Sequence, residues 1–423
     1  MTTTATVTDL LDPASSAYKK ARRQHFKTTK NRTHPDADWT PFRAAEKKYK
    51  ARFPPPDLSD VLDLALADAA REQEVEAGVW RGRADAADVR EGGAGCKAYV
   101  VPSIPGLVIL PGFLTATKQR ELVRYCLREH ARHPNETNLD THYLLPPEGL
   151  WNADPTLLIS PRAPPDPSTS TSPGPRQLIA NTPASPTTFH TLAATPKPPA
   201  VPSPTVPSLA ARALLPRLRW ANIGWFYHWG TKQYDFARGR EPVGGVLREV
   251  CRDAVRSVPW GEVFREGETQ SGWGKAGPDW GTWEESYEPD AGIVNFYQAK
   301  DTLMGHVDRS EVCATSPLVS ISLGNAAIFL IGGLTRNVEP VPILLRSGDV
   351  VIMSGPACRR AYHGVPRILE NTLPSHLAHS DEEADDWTPF ATYLENARIN
   401  VNVRQVFPKG FEPGLSTATP STL

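Results

Sequence analysis

Cysteine is scarce in this chain, and what there is does not pair. Cys96, Cys126, Cys251, Cys313 and Cys358 are scattered, odd in number and without a CxxC spacing. That excludes a disulfide frame and a cysteine-built zinc finger, and it points to a reducing compartment, nucleus or cytoplasm. A long apolar run is missing too. The strongest stretch, AAIFLIGGL at 326–334, falls well short of the roughly 18 residues of a membrane span and reads as a buried strand ending in a glycine turn. The opening MTTTATVTDLLDPASS lacks a basic-then-apolar layout, so no secretory leader is expected. Net charge is also nearly absent, 46 Lys plus Arg against 47 Asp plus Glu. Any nucleic-acid contact therefore has to come from a local patch.

One such patch is present. Residues 19–32, KKARRQHFKTTKNR, carry seven Lys or Arg and no acid, and KKYKAR follows at 47–52. A solvated basic tail, a phosphate-binding arm and a targeting signal are all open, the last leaving room for a mitochondrial pool. The length of 423 residues with 40% apolar side chains suffices for a sizeable core.

Composition divides the chain. Residues 1–55 read as a basic flexible arm. Residues 56–160 read as a helical and strand extension packed on a core, beginning with DLSDVLDLALADAAREQEVEAGV, whose Leu and Ala spacing predicts an acidic amphipathic helix. Within it, YVPSIPGLVILPGFLTATKQRELVRYCLREHAR predicts a strand, a turn at Pro111 and Gly112, and a helix opened by Thr115 or Thr117. Residues 161–207 hold 14 prolines among many Ser and Thr and read as a disordered insertion, too poor in apolar area to offset chain ordering. Residues 208–410 form the main domain and 411–423 a tail. In the main domain NIGWFYHW, AGIVNFYQ, LVSISLGN, AAIFLIG, VPILLRSG, DVVIMSG and ARINVNVR are short apolar or alternating segments separated by Gly and Pro turns. Seven or more strands without long helices between them predict a mainly β fold, a barrel or double-sheet sandwich.

The chemistry sits among these strands. His306 and Asp308 are two residues apart in GHVDRSE, on a predicted sheet-edge turn that Gly305 frees, and His363 follows in AYHGVPR. Two imidazoles and a carboxylate can hold one face of octahedral Fe(II), leaving three positions open; a catalytic zinc would accept the same donors. In RINVNVR, alternation puts Arg398, Asn400, Asn402 and Arg404 on one face and Ile399, Val401 and Val403 on the other. Two inward arginines need an anionic partner, and their planar forks suit a carboxylate.

The order HxD, distant His and RxNxxxR, preceded by the NxY of Asn295 and Tyr297, resembles the AlkB-like branch of the Fe(II)- and 2-oxoglutarate-dependent dioxygenases, specifically its eukaryotic first-homologue subfamily. The strings GLVILPGFL, PNETNLDTHY, LRWANIGWFYHW, HVDRSE and SLGNAAIFLIGG extend the likeness over most of the chain outside the arm and the insertion. The resemblance implies a double-stranded β-helix (jelly roll) with an N-terminal helical extension. It implies Fe(II) held by His306, Asp308 and His363, with 2-oxoglutarate as cosubstrate and O2 as oxidant. Asn295, Tyr297, Arg398, Asn400 and Arg404 would bind the cosubstrate: Arg404, helped by Tyr297, at its distal carboxylate, and Asn295 and Arg398 nearer its chelating end. Arg398 is also expected to pair with Asp308.

The implied reaction is hydroxylation of an N-methyl group, with release of formaldehyde, succinate and CO2, on methylated DNA or tRNA. A base inside a helix has to be flipped out or already unpaired to reach the metal, so stacking residues are required. Trp225, Tyr227, His228, Trp229 and Tyr234 form one aromatic supply. Trp273, Trp280 and Trp283, in a Gly-rich stretch, form another that reads as a lid. Arg359 stands four residues before His363, where the bacterial family often has an arginine facing base or backbone. Ser310 replaces the bacterial acid two residues after the ligand aspartate, which turns the expectation toward N6-methyladenine in DNA or N1-methyladenosine in tRNA without choosing between them. A protein hydroxylase or histone demethylase on the same site, and a non-catalytic module binding modified RNA, are the alternatives.

Overall fold

The computed structural model of the chain describes residues 12, 14–29, 39–78, 80–84, 90–91, 97–163, 182–264, 272–273, 277–379 and 386–414. Two helices come first, α1 (Ser16–Thr29) and α2 (Pro41–Lys50). Strands β1 (Arg90–Glu91), β2 (Tyr99–Val100) and β3 (Leu107–Leu110) precede α3 (Ala116–Tyr125), which Thr115 caps by accepting a hydrogen bond from the Lys118 amide. Then come β4 (Leu158–Ile159), α4 (Phe189–Ala194), β5 (Leu209–Ala210), β6 (Trp220–Gly224) and the hairpin β7 (Tyr227–His228) and β8 (Gln233–Tyr234). Helix α5 (Gly245–Arg256) leads to β9 (Ala291–Gln298), β10 (Leu303–His306), β11 (Leu318–Gly324), β12 (Ala327–Ile331), β13 (Val341–Leu345), β14 (Val350–Met353), β15 (His363–Ile368) and β16 (Ala397–Arg404).

These strands form a jelly roll. An eight-stranded sheet in the order β1-β2-β3-β14-β11-β16-β9-β6 lies opposite a four-stranded sheet, β10-β15-β12-β13. All pairings in both are antiparallel. The larger sheet buries Ile399, Val401 and Val403 of β16 with Leu122, Val123, Leu247 and Val250 of α3 and α5 on its outer face. Its inner face packs Leu107, Ile109 and Met353 against Phe329, Ile331 and Ile343 of the smaller sheet. Helices α3 and α5 cover the outer face of the larger sheet, and α2 packs on the outer face of the smaller one.

Four expectations need correction. Residues 41–50 are not flexible arm: Phe42 is fully buried and Tyr49 nearly so, in a cluster with Ile328, Leu330 and Leu344. Phe42, Ala45 and Tyr49 recur every three to four residues on one helical face, and their burial outweighs the basic positions there. The acidic segment after residue 56 is not one amphipathic helix, because Leu62 bridges to Ile343 and Arg83 before two short 3-10 turns, Leu64–Ala67 and Ala69–Arg71, and a six-residue helix, Glu72–Ala77. The 56–160 extension does not merely pack on the core, since β3 pairs with β14 inside the main sheet. Finally, residues 182–207 of the insertion are ordered. Phe189 is 1% exposed and packs edge-on against Phe236, Phe407 and Phe411, a tertiary anchor that local composition does not reveal. Residues 164–181 lie outside the described residues.

Candidate active site

Strands β10 and β15, which bear the two histidines, are neighbours with His306 directly opposite His363. Neither was expected as a strand: LMGH is short, and HGVPRI carries a glycine and a proline. The irregular register between β15 and β12 accommodates that proline at a bulge. The imidazole centroids are 4.4 Å apart, and His306 Nε2 is 3.6 Å from Asp308 Oδ1. One ligand atom from each of His306, Asp308 and His363 lies within 4.8 Å of the others.

Both imidazoles are set as ligands. His306 Nδ1 donates to the Met304 carbonyl and His363 Nδ1 to the Ala361 carbonyl, each at 3.0 Å. A carbonyl can only accept, so each Nε2 is left with a lone pair for a metal. Burial, reinforced by His306, pulls His363 down to about 4 and keeps it neutral. Burial works against charge on Asp308, but Arg404 and the two imidazoles outweigh it and hold that carboxyl well below the usual range. Two imidazoles, each anchored through Nδ1, and one carboxylate fit Fe(II).

Gly305 serves by its lack of a side chain. A Cβ there would stand 2.4 Å from the Phe42 ring, and the Gly305 amide donates to Glu46 Oε1 at 2.5 Å. Helix α2 thus grips the backbone beside the first ligand.

A cavity of about 670 Å3 opens from these ligands along the inner sheet. Arg398, Asn400, Asn402 and Arg404 all line it, as do Asn295 and Tyr297 of β9. Tyr297 faces Arg398 and Asn295 faces Asn400 across the β9–β16 ladder. Asn400 donates to Ser320 Oγ and the Ile321 carbonyl, which spends its amide within the sheet.

The two arginines differ from expectation. Arg404, not Arg398, stands beside Asp308, with Nη1 3.6 Å from Oδ2 and 2.9 Å from Glu311 Oε1. Arg398 donates to the Asn325 carbonyl and Ser322 Oγ and meets no carboxylate within ion-pair distance among the described residues. Its Nε and the Tyr297 hydroxyl are buried without partners. Burial pulls Arg398 down to about 10. A buried guanidinium beside an orphaned phenol is completed by an anion, which suits the distal carboxylate of an oxoacid. Arg404 thus stands beside the metal-ligand triad, and Arg398 faces Tyr297 across the β9–β16 ladder.

Glu311 was missed as a functional residue. It is 1% exposed and accepts from Arg404 and from the Tyr234 hydroxyl at 3.2 Å, with Arg359 Nη2 3.7 Å away. Glu311 precedes β11, whereas Arg359 follows β14 and Arg404 ends β16, so only the fold brings these cations to it. Arg359 itself is 1% exposed and donates to the Ser316 carbonyl, so it supports the site from behind and does not face a base.

The aromatic groups separate. Tyr227, Trp229 and Tyr234 line the cavity; Trp229 is 40% exposed, and Tyr234 is buried against Glu311. Ser310 Oγ donates to the Lys232 carbonyl, tying the ligand turn to the β7–β8 hairpin. His228 bonds Thr231 and the Pro198 carbonyl, and Trp225 packs with Phe236 and Phe407. Trp273, Trp280 and Trp283 do not reach the cavity. Trp273 and Trp283 are core residues clustered with Trp260 and Phe264, and Trp280 packs against that core, because aromatic area of that size is most stable when enclosed. The lid expectation is corrected for these three residues.

A jelly roll with two histidines and an aspartate at one mouth, and a buried arginine deeper in, defines a class. Residues 190–404 match the 2OG-Fe(II) oxygenase superfamily, and the chain belongs to that family, whose members use Fe(II), 2-oxoglutarate and O2. It is AlkB-like. Its similar proteins include the nucleic acid dioxygenase ALKBH1 of Mus musculus, 27% identical over 96% of this chain and 89% of that protein. They include the DNA N(6)-methyladenine demethylase ALKBH1A of Arabidopsis thaliana, 29% identical over 88% of this chain and 97% of that protein. The tRNA demethylase abh1 of Schizosaccharomyces pombe is 27% identical over 87% of this chain and 96% of that protein.

Proposed function

We propose that this chain is an oxidative demethylase of N-methylated adenine in nucleic acid, with N6-methyladenine in DNA or N1-methyladenosine in tRNA as substrate. The observation that carries this reading is the metal triad and the unpaired Arg398–Tyr297 site sharing one cavity with Tyr227 and the exposed Trp229. The names of the mouse, plant and yeast relatives support it. When Fe(II) and 2-oxoglutarate are bound, they supply an O2-derived oxidant, with 2-oxoglutarate leaving as succinate and CO2.

The residues of the chain do the positioning. His306, Asp308 and His363 would hold the metal, and Arg398 and Tyr297 the distal carboxylate. Arg404 neutralises the ligand carboxylate while Glu311 fixes its guanidinium. Trp229 and Tyr227 offer faces to a base that has left its stack. An oxidised N-methyl group then departs as formaldehyde, leaving the free nitrogen. Residence in nucleus or cytoplasm is part of the same proposal, supported by the free, buried Cys126, Cys251, Cys313 and Cys358.

The test is methyl loss by mass spectrometry on matched N6-methyladenine DNA and N1-methyladenosine tRNA with Fe(II), 2-oxoglutarate and ascorbate. Loss from either, abolished in His306→Ala, is expected. No loss from both despite bound metal overturns the assignment and favours a peptide substrate.

A further inference from the structure

The basic segment noted in the sequence is not absorbed by the iron site, and its structure sorts its charges. Helix α1, SAYKKARRQHFKTT, contains no acid. Its inner side is marked by Tyr18 and His25, whose rings lie 5.1 and 5.8 Å from Phe53, and by half-buried Ala21. Positions 18, 21 and 25 share one face of a helix. Lys19, Lys20, Arg23 and Lys27 are exposed on the other, and no ion pair to any of the four is present among the described residues. Lys19 and Arg23, then Arg23 and Lys27, are like charges one turn apart, an arrangement that opposes the helix unless an anion offsets it. A helix docked through Tyr18 and His25 and carrying outward cations that have no ion pair among the described residues, in a chain of net charge -1, is a local anion surface.

Its location links it to the cavity. Phe53 lies just past the end of α2, where Arg52 donates to the Ala299 carbonyl and pairs with Glu370. At the opposite end of α2, Arg43 Nη1 reaches the Met304 sulfur at 3.9 Å, and Met304 lines the cavity and is 40% exposed. Ten helical residues separate these ends by about 15 Å. A polyanion leaving the cavity therefore meets α1 within a short stretch of its length.

We propose that α1 is a phosphodiester-contact surface, in which Lys19, Lys20, Arg23 and Lys27 hold backbone phosphates of the strand whose target base occupies the cavity. This rests on the demethylase reading. The helix reads no sequence; it lengthens the footprint and raises affinity for long strands over short ones.

The test uses the full chain and a quadruple variant, K19Q/K20Q/R23Q/K27Q, which keeps helix propensity. Fluorescence anisotropy with a long single-stranded oligonucleotide is followed over a salt series. Wild-type log affinity should depend more steeply on log salt than the variant by roughly 2 to 3, at about 0.7 per lost phosphate contact, with affinity at low salt falling about tenfold or more. A methylated trinucleotide, too short to reach α1, should be turned over by both proteins at equal kcat/KM. Equal salt slopes overturn the proposal. Loss of trinucleotide turnover in the variant alone also overturns it, by placing α1 in folding. Loss of binding to vesicles of anionic lipid with unchanged strand binding overturns it in favour of a membrane surface. Failure of the wild type to demethylate the trinucleotide or a long oligonucleotide sinks the demethylase reading instead, and the salt slopes read α1 independently of that outcome.

Discussion

Arg398 and Arg404 stand on the same face of one strand, six residues apart, and meet opposite surroundings. Around Arg404 the fold supplies Glu311, Asp308 and the Tyr234 hydroxyl within one network. Burial opposes its charge, but Tyr234, Glu311 and Asp308 more than compensate and raise its pKa above the ordinary range. Around Arg398 the fold supplies only a serine hydroxyl and a backbone carbonyl, and leaves Nε and the facing Tyr297 hydroxyl without partners. Each keeps one buried Nε without a partner, but one guanidinium is ion-paired by the protein and the other meets no carboxylate among the described residues. Two identical side chains on one strand therefore differ in electrostatic completion: one is held in an ion-pair network, and the other is a buried cation that an anionic ligand would stabilise.

Removing each arginine should break this comparison in different ways. Arg404→Leu takes from Asp308 its arginine and from Glu311 the nearer of two, leaving only Arg359 at 3.7 Å, and a loss of about 3–5 kcal/mol of unfolding free energy is expected in urea titrations. If stability were unchanged, Arg404 would not be the structural member of the pair. Arg398→Met removes a charge the apo fold does not compensate, so its stability should stay within about 1 kcal/mol of wild type. Its KM for 2-oxoglutarate should instead rise about 100-fold, equivalent to roughly 3 kcal/mol. A stability loss matching that of Arg404→Leu would erase the distinction. Tyr297→Phe deletes only the orphaned hydroxyl and should raise the same KM about tenfold, with the melting temperature unchanged or slightly higher.

His130 provides the most graded test, because it too is buried with both ring nitrogens unpartnered among the described residues but lies among apolar residues and not in the cavity. Burial lowers it to about 3 from an ordinary 6.5. The folded state keeps it neutral while the unfolded state takes up a proton below its ordinary pKa. Stability from this group is therefore fully present above about pH 6.5 and is lost as pH falls toward 3, at a slope of up to about 1.4 kcal/mol per unit. Subtracting the stability profile of His130→Phe from wild type should isolate that slope; a flat difference would show that His130 is solvated.

The aromatic groups carry the same lesson in apolar form. Tyr227–Trp229 and Trp273–Trp283 look alike in composition, yet the first pair borders the cavity and the second is sealed with Trp260 and Phe264. Flanking glycines suggested motion for the second pair, but enclosure depends on residues distant in sequence. The histidine strands were hidden for a related reason. HGVPRI breaks the usual strand composition, and only its partners β10 and β12 hold it extended.

Much was nonetheless determined by sequence alone. Alternation in ARINVNVR assigns its polar residues to one face and its apolar residues to the other, because side chains on a strand point to opposite sides in turn. The seven apolar segments separated by turn residues define a β fold, and the order of HxD, distant histidine and RxNxxxR defines a metal and oxoacid chemistry. Tertiary structure alone decided which arginine is ion-paired, that Glu311 is the partner of Arg404, that Arg359 lies behind the site, and that α2 and the segment after Thr182 belong to the folded body. Local pattern sets where a side chain points relative to its own backbone. What it meets there depends on segments far along the chain, 93 residues away for Arg404 and Glu311, and in a low-dielectric interior that meeting decides whether a charge is ion-paired or open to a ligand.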